Sequence, residues 1–512
     1  MTPKKILPCL IIVFLFIFLL IPLQNNIFSV QFGDEDDNFV IAQWILDGKK
    51  LYQDVFYNHQ PLPILAGALL QKIYRPTSIF QLVKYQRISI FIYSATCSLI
   101  LYYLIGWPAI IFIFLFETTK FALLGNLFLA ETIAIYPIIF IIGIIHEVIN
   151  KSSLKIWKIS LFAASLVLIQ LTLLPLTSFT ILAFILLIIN LKLMKKILFF
   201  KLFLLFGFLT LLAISPFISF IDYFKDTFFA NILYVVPYEA NYTLLQAIQR
   251  ILFRPLLALF LPNQTFFLIL KIACILYLFS VLALLKKKKW RLVLIFYFLL
   301  TTTNFRPVEF GTFRNGFHLL PFYATLIWIT VLQTTRILKT TKNFLEKKLF
   351  VSLILFFSLI CLSFGAKEFL KNNTSNKDFN INYSHFFQYG EAIRLISTKK
   401  DNLLTIPAAS LIYAQSRLTS NSKYFFLLGF MRESKPLSEE MKILFEKNPP
   451  EFLYSEESQN TDQFFKNLSG NYFQIVKNSK PSYLFISKNK LKEISDTQWE
   501  EIKRLGFVRS NN

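Results

Sequence analysis

The run Gly33-Asp34-Glu35-Asp36-Asp37-Asn38-Phe39 places four consecutive carboxylates about ten residues beyond a hydrophobic stretch from Ile6 to Leu23. A carboxylate can take a proton from an attacking hydroxyl or hold a cation. Acids crowded together raise one another's affinity for protons, which is one way to prepare a base. A lone acidic run is ordinarily a solvated loop. This one opens an amphipathic segment, VIAQWILDGKKLYQDVFYNHQPLP, whose apolar residues return at helical spacing, as in a helix lying along a membrane surface. In that setting Asp36 and Asp37 are expected to face solvent.

Two later segments also carry chemistry. One, about 220–262, holds Asp222, Asp226, Glu239, Arg250 and Arg254 among Tyr and Phe. The other, NFRPVEFGTFRNGFH, brings Arg306, Glu309, Arg314 and His318 within thirteen residues at the mouth of a helix. A guanidinium offers a planar two-pronged fork, so arginines beside a bilayer suit the phosphate of a lipid headgroup. General anchoring to lipid phosphates is the alternative reading. Glu117 and Lys120, spaced (i, i+3), form either a local ion pair or the polar lining of a cavity.

The elements that must hold these groups are membrane helices. Hydrophobic residues make up 55% of the chain, Phe alone contributes 59, and apolar runs near the ~20 residues that cross a bilayer recur throughout. Spans are predicted at 6–23, 80–105, 108–129, 132–149, 157–172, 173–191, 198–219, 265–285, 291–304, 317–335 and 349–366. Lys4 and Lys5 precede the first as in a signal peptide, but no small-x-small cleavage site follows, so it is read as a retained helix.

Lys and Arg are held on the cytoplasmic side during insertion. They crowd four connectors: Lys151, Lys155 and Lys158; Lys192, Lys195, Lys196 and Lys201; Lys286 to Lys289 with Arg291; and Arg336, Lys339, Lys342, Lys347 and Lys348. All four fall on the side of the N-terminus, which is therefore placed in the cytoplasm. Of the 14 Asp and Glu before residue 367, only Glu147 and Glu346 join them there. The formal net charge of +23 is then a topology signal, reinforced by attraction to anionic lipid, and does not point to nucleic acid. Cys9, Cys97, Cys274 and Cys361 lie inside predicted spans and imply neither a disulfide framework nor, lacking neighbouring His, a metal site.

After Gly365 the composition changes. Residues 367–512 contain no span, carry 21 basic and 16 acidic residues, and alternate helical with β-like runs. HFFQYGEAIRLIS, SEEMKILFEKN and DTQWEEIKRLGF read as helices, and NLLTIPA, EFLYS, FQIV and SYLFIS as strands. The fold class is thus mostly α: a polytopic membrane protein of about eleven helices, residues 1–366, followed by a small α/β domain, residues 367–512, outside the cytoplasm. His385 is the only histidine of that tail and has no obvious companion, so the tail's expected role is accessory. Sequons at Asn241, Asn263 and Asn467 carry meaning only in a eukaryotic secretory route. The Phe-, Ile-, Lys- and Asn-rich usage points instead to a bacterium.

The segment FGDEDDNFVIAQWILDGKKLYQDVFYNHQPLP resembles the first outer loop of the GT-C glycosyltransferases of the bacterial protein-mannosyltransferase and aminoarabinose-transferase type. Asp34-Glu35, Ala42, Leu46-Asp47-Gly48, Tyr52-Gln53-Asp54 and His59-Gln60-Pro61-Leu62 follow that family's order and spacing. Gln60 replaces the first of two usual prolines, and Asn38 sits where an aromatic is common. The motif covers about thirty residues, while the general layout of many spans and an outer soluble domain covers most of the chain.

The resemblance implies an inverting enzyme that moves a sugar from a polyprenyl phosphate to an acceptor hydroxyl on a lipid, glycan or protein. The phosphate is already a competent leaving group, so the need is for a base and for cations that hold the departing anion. On the family pattern Asp34 is the base. Glu35 and Glu131, which matches a second acid at the outer start of the fourth span, orient the acceptor or tune that base. His59, Lys120, Arg306, Arg314 and His318 are expected around the donor. No cofactor is implied; some relatives use a divalent cation, and Asp34-Glu35-Asp36 offers an acid-x-acid spacing for one. The rival expectation is a transporter or flippase for a lipid-linked saccharide, which calls for charges lining the middle of spans. Here they gather at outer ends, with uninterrupted runs such as FILLIIN and IIFIIGII between. A scaffold organised around the tail leaves the acidic loop without a purpose.

Overall fold

The computed structural model describes residues 3–150, 154–239, 242–260, 265–304, 306, 313–340, 348, 351–353, 355–361, 363, 375–426, 429–456 and 470–509. The chain is 74% helical and divides into two compact units. One comprises Met1–Asn26, Arg87–Leu212 and Tyr242–Asn373, and the other Ile27–Gln86, Ala213–Asn241 and Thr374–Asn512. Asn241, Asn263, Asn467 and Glu309 lie outside the described residues, as does the side chain of Arg314.

Among the described residues, six helices are long and apolar enough to cross a membrane: Ile6–Asn25, Ile79–Ile105, Ala130–Asn150, Leu193–Ile214, Phe267–Lys286 and Gly316–Thr340. Shorter apolar helices occupy the other predicted spans, at Trp107–Glu117, Ile156–Thr172, Leu174–Asn190, Trp290–Thr302 and, over its described residues, Val351–Cys361. The predicted span 108–129 is corrected by this. Its helix stops at Glu117 and a short 3-10 turn, Lys120–Leu123, follows, because Thr118 and Thr119 turn their hydroxyls back onto the carbonyls of Phe114 and Leu115.

In the first unit, hydrophobicity separates helices by what surrounds them. Beyond Lys195, Lys196 and Lys201 in its first turns, Leu193–Ile214 is apolar on all sides, and it is mostly unburied, leaving Leu204 and Phe208 exposed as side chains facing lipid tails would be. Gly316–Thr340 is the opposite, with 94% buried. It packs on Ala130–Asn150, Trp107–Glu117 and Thr265–Lys286. Among apolar neighbours, polar cross-links fix its register: Trp328 Nε1 donates to the Ile139 carbonyl at 3.1 Å, and the Tyr323 and Thr119 hydroxyls meet at 2.7 Å. Gly143 permits the close approach of its neighbours, since a Cβ there would lie 3.0 Å from Ile105 Cδ1.

The second unit joins the two helices of the amphipathic segment, Gly33–Leu46 and Leu62–Tyr74, to a five-stranded sheet with its own helices. The strands are β1 Leu403–Ile406, β2 Phe452–Ser455, β3 Tyr472–Lys477, β4 Lys480–Ser487 and β5 Phe507–Val508, in the order β1-β2-β4-β3-β5. β1 and β2 are parallel, with Leu403 opposite Phe452, and the other pairings are antiparallel. Asn478 and Ser479, both at positive φ, make the two-residue turn between β3 and β4. Four strands and the helices Ser384–Ile396, Lys435–Lys447 and Asp496–Lys503 occupy segments read from the sequence, except that the last helix ends at Lys503 and Phe507, read as its end, begins the two-residue β5 instead. Trp44 ties the acidic helix to residues nearly four hundred positions away. Its indole donates to the Leu418 carbonyl at 3.2 Å, and its ring meets Tyr413 and Phe425 edge-on.

Candidate functional site

Each step along an α-helix turns ~100°, so four consecutive carboxylates at the start of Gly33–Leu46 cannot share one environment. Asp34 is exposed, Glu35 and Asp36 are buried, and Asp37 is half-buried. The expectation that Asp36 and Asp37 face solvent is therefore corrected. Asp36 accepts a hydrogen bond from Gln31 Nε2, and Asp37 accepts one from the Ser410 hydroxyl. Burial pushes the Asp37 carboxyl up to about 8; the Ser410 bond opposes the rise and the charge of Asp34 adds to it. Asp34, Glu35 and Asp36 all lie in the first helical turn, where the positive end of the helix dipole favours their charge.

The two departures from the family motif are both engaged by tyrosines. Asn38 is buried and its Oδ1 accepts the Tyr57 hydroxyl at 2.6 Å; Gln60 is buried and its Oε1 accepts the Tyr223 hydroxyl at 2.8 Å. A proline at 60 has no side-chain acceptor and an aromatic at 38 no amide oxygen, so each change supplies an atom that this chain uses. His59 sits half-buried between these anchors, its carbonyl held by the Tyr52 hydroxyl at 2.9 Å and its ring 5.3 Å from that of Tyr57. Nearby, burial raises Asp226 to about 6, although Lys423 Nζ at 3.1 Å pulls it down.

In the first unit a second constellation forms from residues distant in sequence. Glu131, in the first turn of Ala130–Asn150, meets His318 Nδ1 at 2.8 Å, and His318 Nε2 meets Arg306 Nη1 at 2.8 Å. A guanidinium only donates, so Nε2 accepts and the imidazole proton sits on Nδ1, directed at the Glu131 carboxylate. The result is an oriented chain of carboxylate, neutral imidazole and guanidinium. Glu131 and His318 are buried, while Arg306 is partly accessible. Arg254 Nη2 donates to the Arg306 carbonyl at 3.0 Å, which fixes the backbone from which Arg306 projects. Burial, and then the neighbouring Arg250, press the Arg254 guanidinium down to about 9, a setting that an added anion would relieve.

Glu117 and Lys120 form the ion pair that their spacing allows, at 2.7 Å and almost fully buried. Lys120 Nζ also donates to Ser94 Oγ at 2.8 Å, and Glu117 Oε1 accepts the Tyr136 hydroxyl at 2.8 Å, itself 2.6 Å from Ser98 Oγ. Both charges thus have their hydrogen bonds met.

Sequence reasoning passed over Arg87, fully buried within Ile79–Ile105, although a charge inside an apolar helix is itself a signal. It also left His385 alone. In the structure His385 Nε2 meets the Tyr454 hydroxyl, which donates to Glu456, and the ring lies 4.7 Å from that of Tyr389. Tyr389 is four residues on along the same helix, but Tyr454 and Glu456 come from β2 and its exit and are invisible to local spacing. Among the described residues no group of three His, Cys, Asp or Glu side chains is arranged to hold a metal ion, and all four cysteines are free.

No family model matches the chain, and no curated protein sequence matches it. Among solved structures it is similar to ArnT from Cupriavidus metallidurans, determined bound to undecaprenyl phosphate, with 8% identity and a TM-score of 0.50 over 93% of this chain and 97% of that one. At that identity the likeness is one of fold, and it extends through both compact units.

Proposed function

We propose that the chain is an integral membrane glycosyltransferase that moves a sugar from a polyprenyl-phosphate donor to an acceptor hydroxyl, with inversion, on the extracytoplasmic face of a bacterial inner membrane. In this reading residues 1–366 carry catalysis, the N-terminus is cytoplasmic, and residues 367–512 lie outside. The observation that carries it is the Glu131–His318–Arg306 chain, because a guanidinium held in place by a neutral imidazole and a carboxylate is a prepared phosphate receptor. The fold shared with a protein that binds undecaprenyl phosphate supports a prenyl carrier for that phosphate.

Asp34, the exposed acid of the run, is assigned as the base. It takes the proton of the acceptor hydroxyl as the oxygen attacks the anomeric carbon. The bond from that carbon to the phosphate oxygen breaks on the opposite face, and the electron pair leaves with the polyprenyl phosphate. Arg306, with Arg314 and His59, is assigned to the phosphate charge, His318 to the orientation of Arg306, and Glu35 and Glu131 to tuning. Lys120 is already engaged by Glu117 and Ser94, which gives it a supporting place. The chemistry needs no cofactor, and a divalent cation held by carboxylates is an alternative source of charge stabilisation.

The test is transfer from a radiolabelled polyprenyl-phosphate sugar by purified protein in nanodiscs supplied with membrane extract. Asp34→Asn is expected to lower kcat by roughly 10²–10⁴-fold. Arg306→Gln should chiefly raise the KM for the donor. Unchanged transfer by Asp34→Asn removes the proposed base.

A further inference from the structure

Within the second unit a cleft of about 720 Å³ opens between the helices of the acidic segment and the C-terminal residues. Its size falls in the ~300–1,000 Å³ range of small-molecule sites. Arg75, Arg394, Lys399 and Arg417 line it, against a single carboxylate, Asp47. Arg394 is already paired with Glu391 through both Nε, at 2.9 Å, and Nη2, at 2.5 Å, whereas Arg75, Lys399 and Arg417 make no ion pair among the described residues. Amide and hydroxyl groups, Gln43 and Thr398 among them, intersperse the cations.

Two of the arginines occupy backbone positions that favour glycine. Arg75 ends the helix Leu62–Tyr74 at φ 48° and ψ 58°, and Arg417 ends Leu411–Ser416 at φ 60° and ψ 25°. Both are left-handed caps, where glycine is usual because it carries no Cβ penalty. A cation also suits the negative end of a helix, but that benefit accrues anywhere in the last turn and does not require the strained residue. Two such arginines on two separate helices facing one cleft make the side chain, rather than the backbone, the reason for the residue.

We infer that this cleft binds an anionic saccharide, a sugar bearing a phosphate or carboxylate, with the arginines taking the anion and the amides and hydroxyls taking the ring hydroxyls. The site is distinct from the assigned transfer residues, and its occupancy is independent of which reaction the chain performs.

Glycine at 75 and 417 tests this without opposing the backbone. Full-length protein in nanodiscs of zwitterionic lipid is titrated calorimetrically with a hexose 6-phosphate, a hexuronate disaccharide, inorganic phosphate and an uncharged disaccharide. Wild type should bind the two charged sugars more tightly than inorganic phosphate or the uncharged disaccharide, and more weakly as salt is raised. Arg75→Gly/Arg417→Gly should weaken the charged sugars on the order of tenfold for each arginine removed. Lys399→Gln, on an exposed turn with no special backbone demand, should weaken them less. Lys492→Gln, an exposed charge elsewhere in the unit, should leave binding unchanged. Equal affinity in wild type and the double glycine variant overturns the site. Equal binding of the uncharged disaccharide overturns the anion, and equal binding of inorganic phosphate overturns the sugar.

Discussion

The buried glutamates of the first unit and the acidic run that opens Gly33–Leu46 in the second are accommodated differently. In the first, Glu117 and Glu131 are buried against side chains brought to them, Lys120 at 2.7 Å with the Tyr136 hydroxyl for one and His318 at 2.8 Å for the other. In the second, the turn of a helix sets four adjacent acids in different surroundings: Asp34 is exposed, Glu35 and Asp36 are buried, and Asp37 is half-buried with its carboxyl pushed up to about 8. Glu117 is buried against the ammonium of Lys120, whereas Asp37 has a hydroxyl beside it and burial there favours the protonated form. Helix rotation thus lets one short run offer an exposed acid and, within a turn of it, one whose carboxyl is pushed up by burial.

The largest effect expected from this contrast is in the first unit. Lys120→Met leaves the Glu117 carboxylate buried without its cation, and should destabilise the protein by about 3–5 kcal/mol in detergent unfolding. Glu117→Gln/Lys120→Met removes both charges and should recover most of that loss. A double variant as unstable as the single one would mean that packing around Lys120, and not charge, is what the pair supplies.

The second unit should respond to pH instead. The Asp37 carboxyl is raised from its ordinary value of 3.8 to about 8, so the native state keeps a proton that the unfolded chain releases. That contribution to stability is complete below about pH 4 and is lost as pH rises through 8. Asp37→Asn keeps an oxygen for the Ser410 hydroxyl and cannot ionise. It should match wild type near pH 4 and exceed it by about 1–3 kcal/mol at pH 9 in unfolding measurements. Parallel pH profiles for the two proteins would place Asp37 among ordinary carboxylates and erase that difference.

How much of this was legible in the sequence follows the range of the interactions. Spans show in hydropathy because a bilayer demands continuous apolar length, and Glu117–Lys120 shows because residues three apart remain within reach even though the helix ends at Glu117 and Lys120 opens a 3-10 turn. The order of burial in Asp34 to Asp37 does not, since the side of the helix that is covered is chosen by Trp44 meeting Tyr413, Leu418 and Phe425. The Glu131–His318 contact spans 187 positions, so the spacing of Arg306, Arg314 and His318 could announce a cationic cluster but not its partner. His385 was misjudged for the same reason, its partners Tyr454 and Glu456 arriving from a strand far along the chain.

The smallest expected effect is the sharpest test of the difference. Ser410→Ala deletes the one hydroxyl that donates to Asp37. A hydrogen bond to a charged acceptor is worth more than one to a neutral acceptor, so the loss should be about 0.5–1.5 kcal/mol at pH 9 and smaller at pH 5, where Asp37 holds its proton. Removing a donor that favours the ionised form should also move the Asp37 midpoint further up, which a pH series of unfolding curves for wild type and variant would register. A cost that is the same at both pH values would mean that Asp37 does not change state between them. No acid of the helix would then be set apart by its protonation, and the base would have to be distinguished from its neighbours by exposure alone.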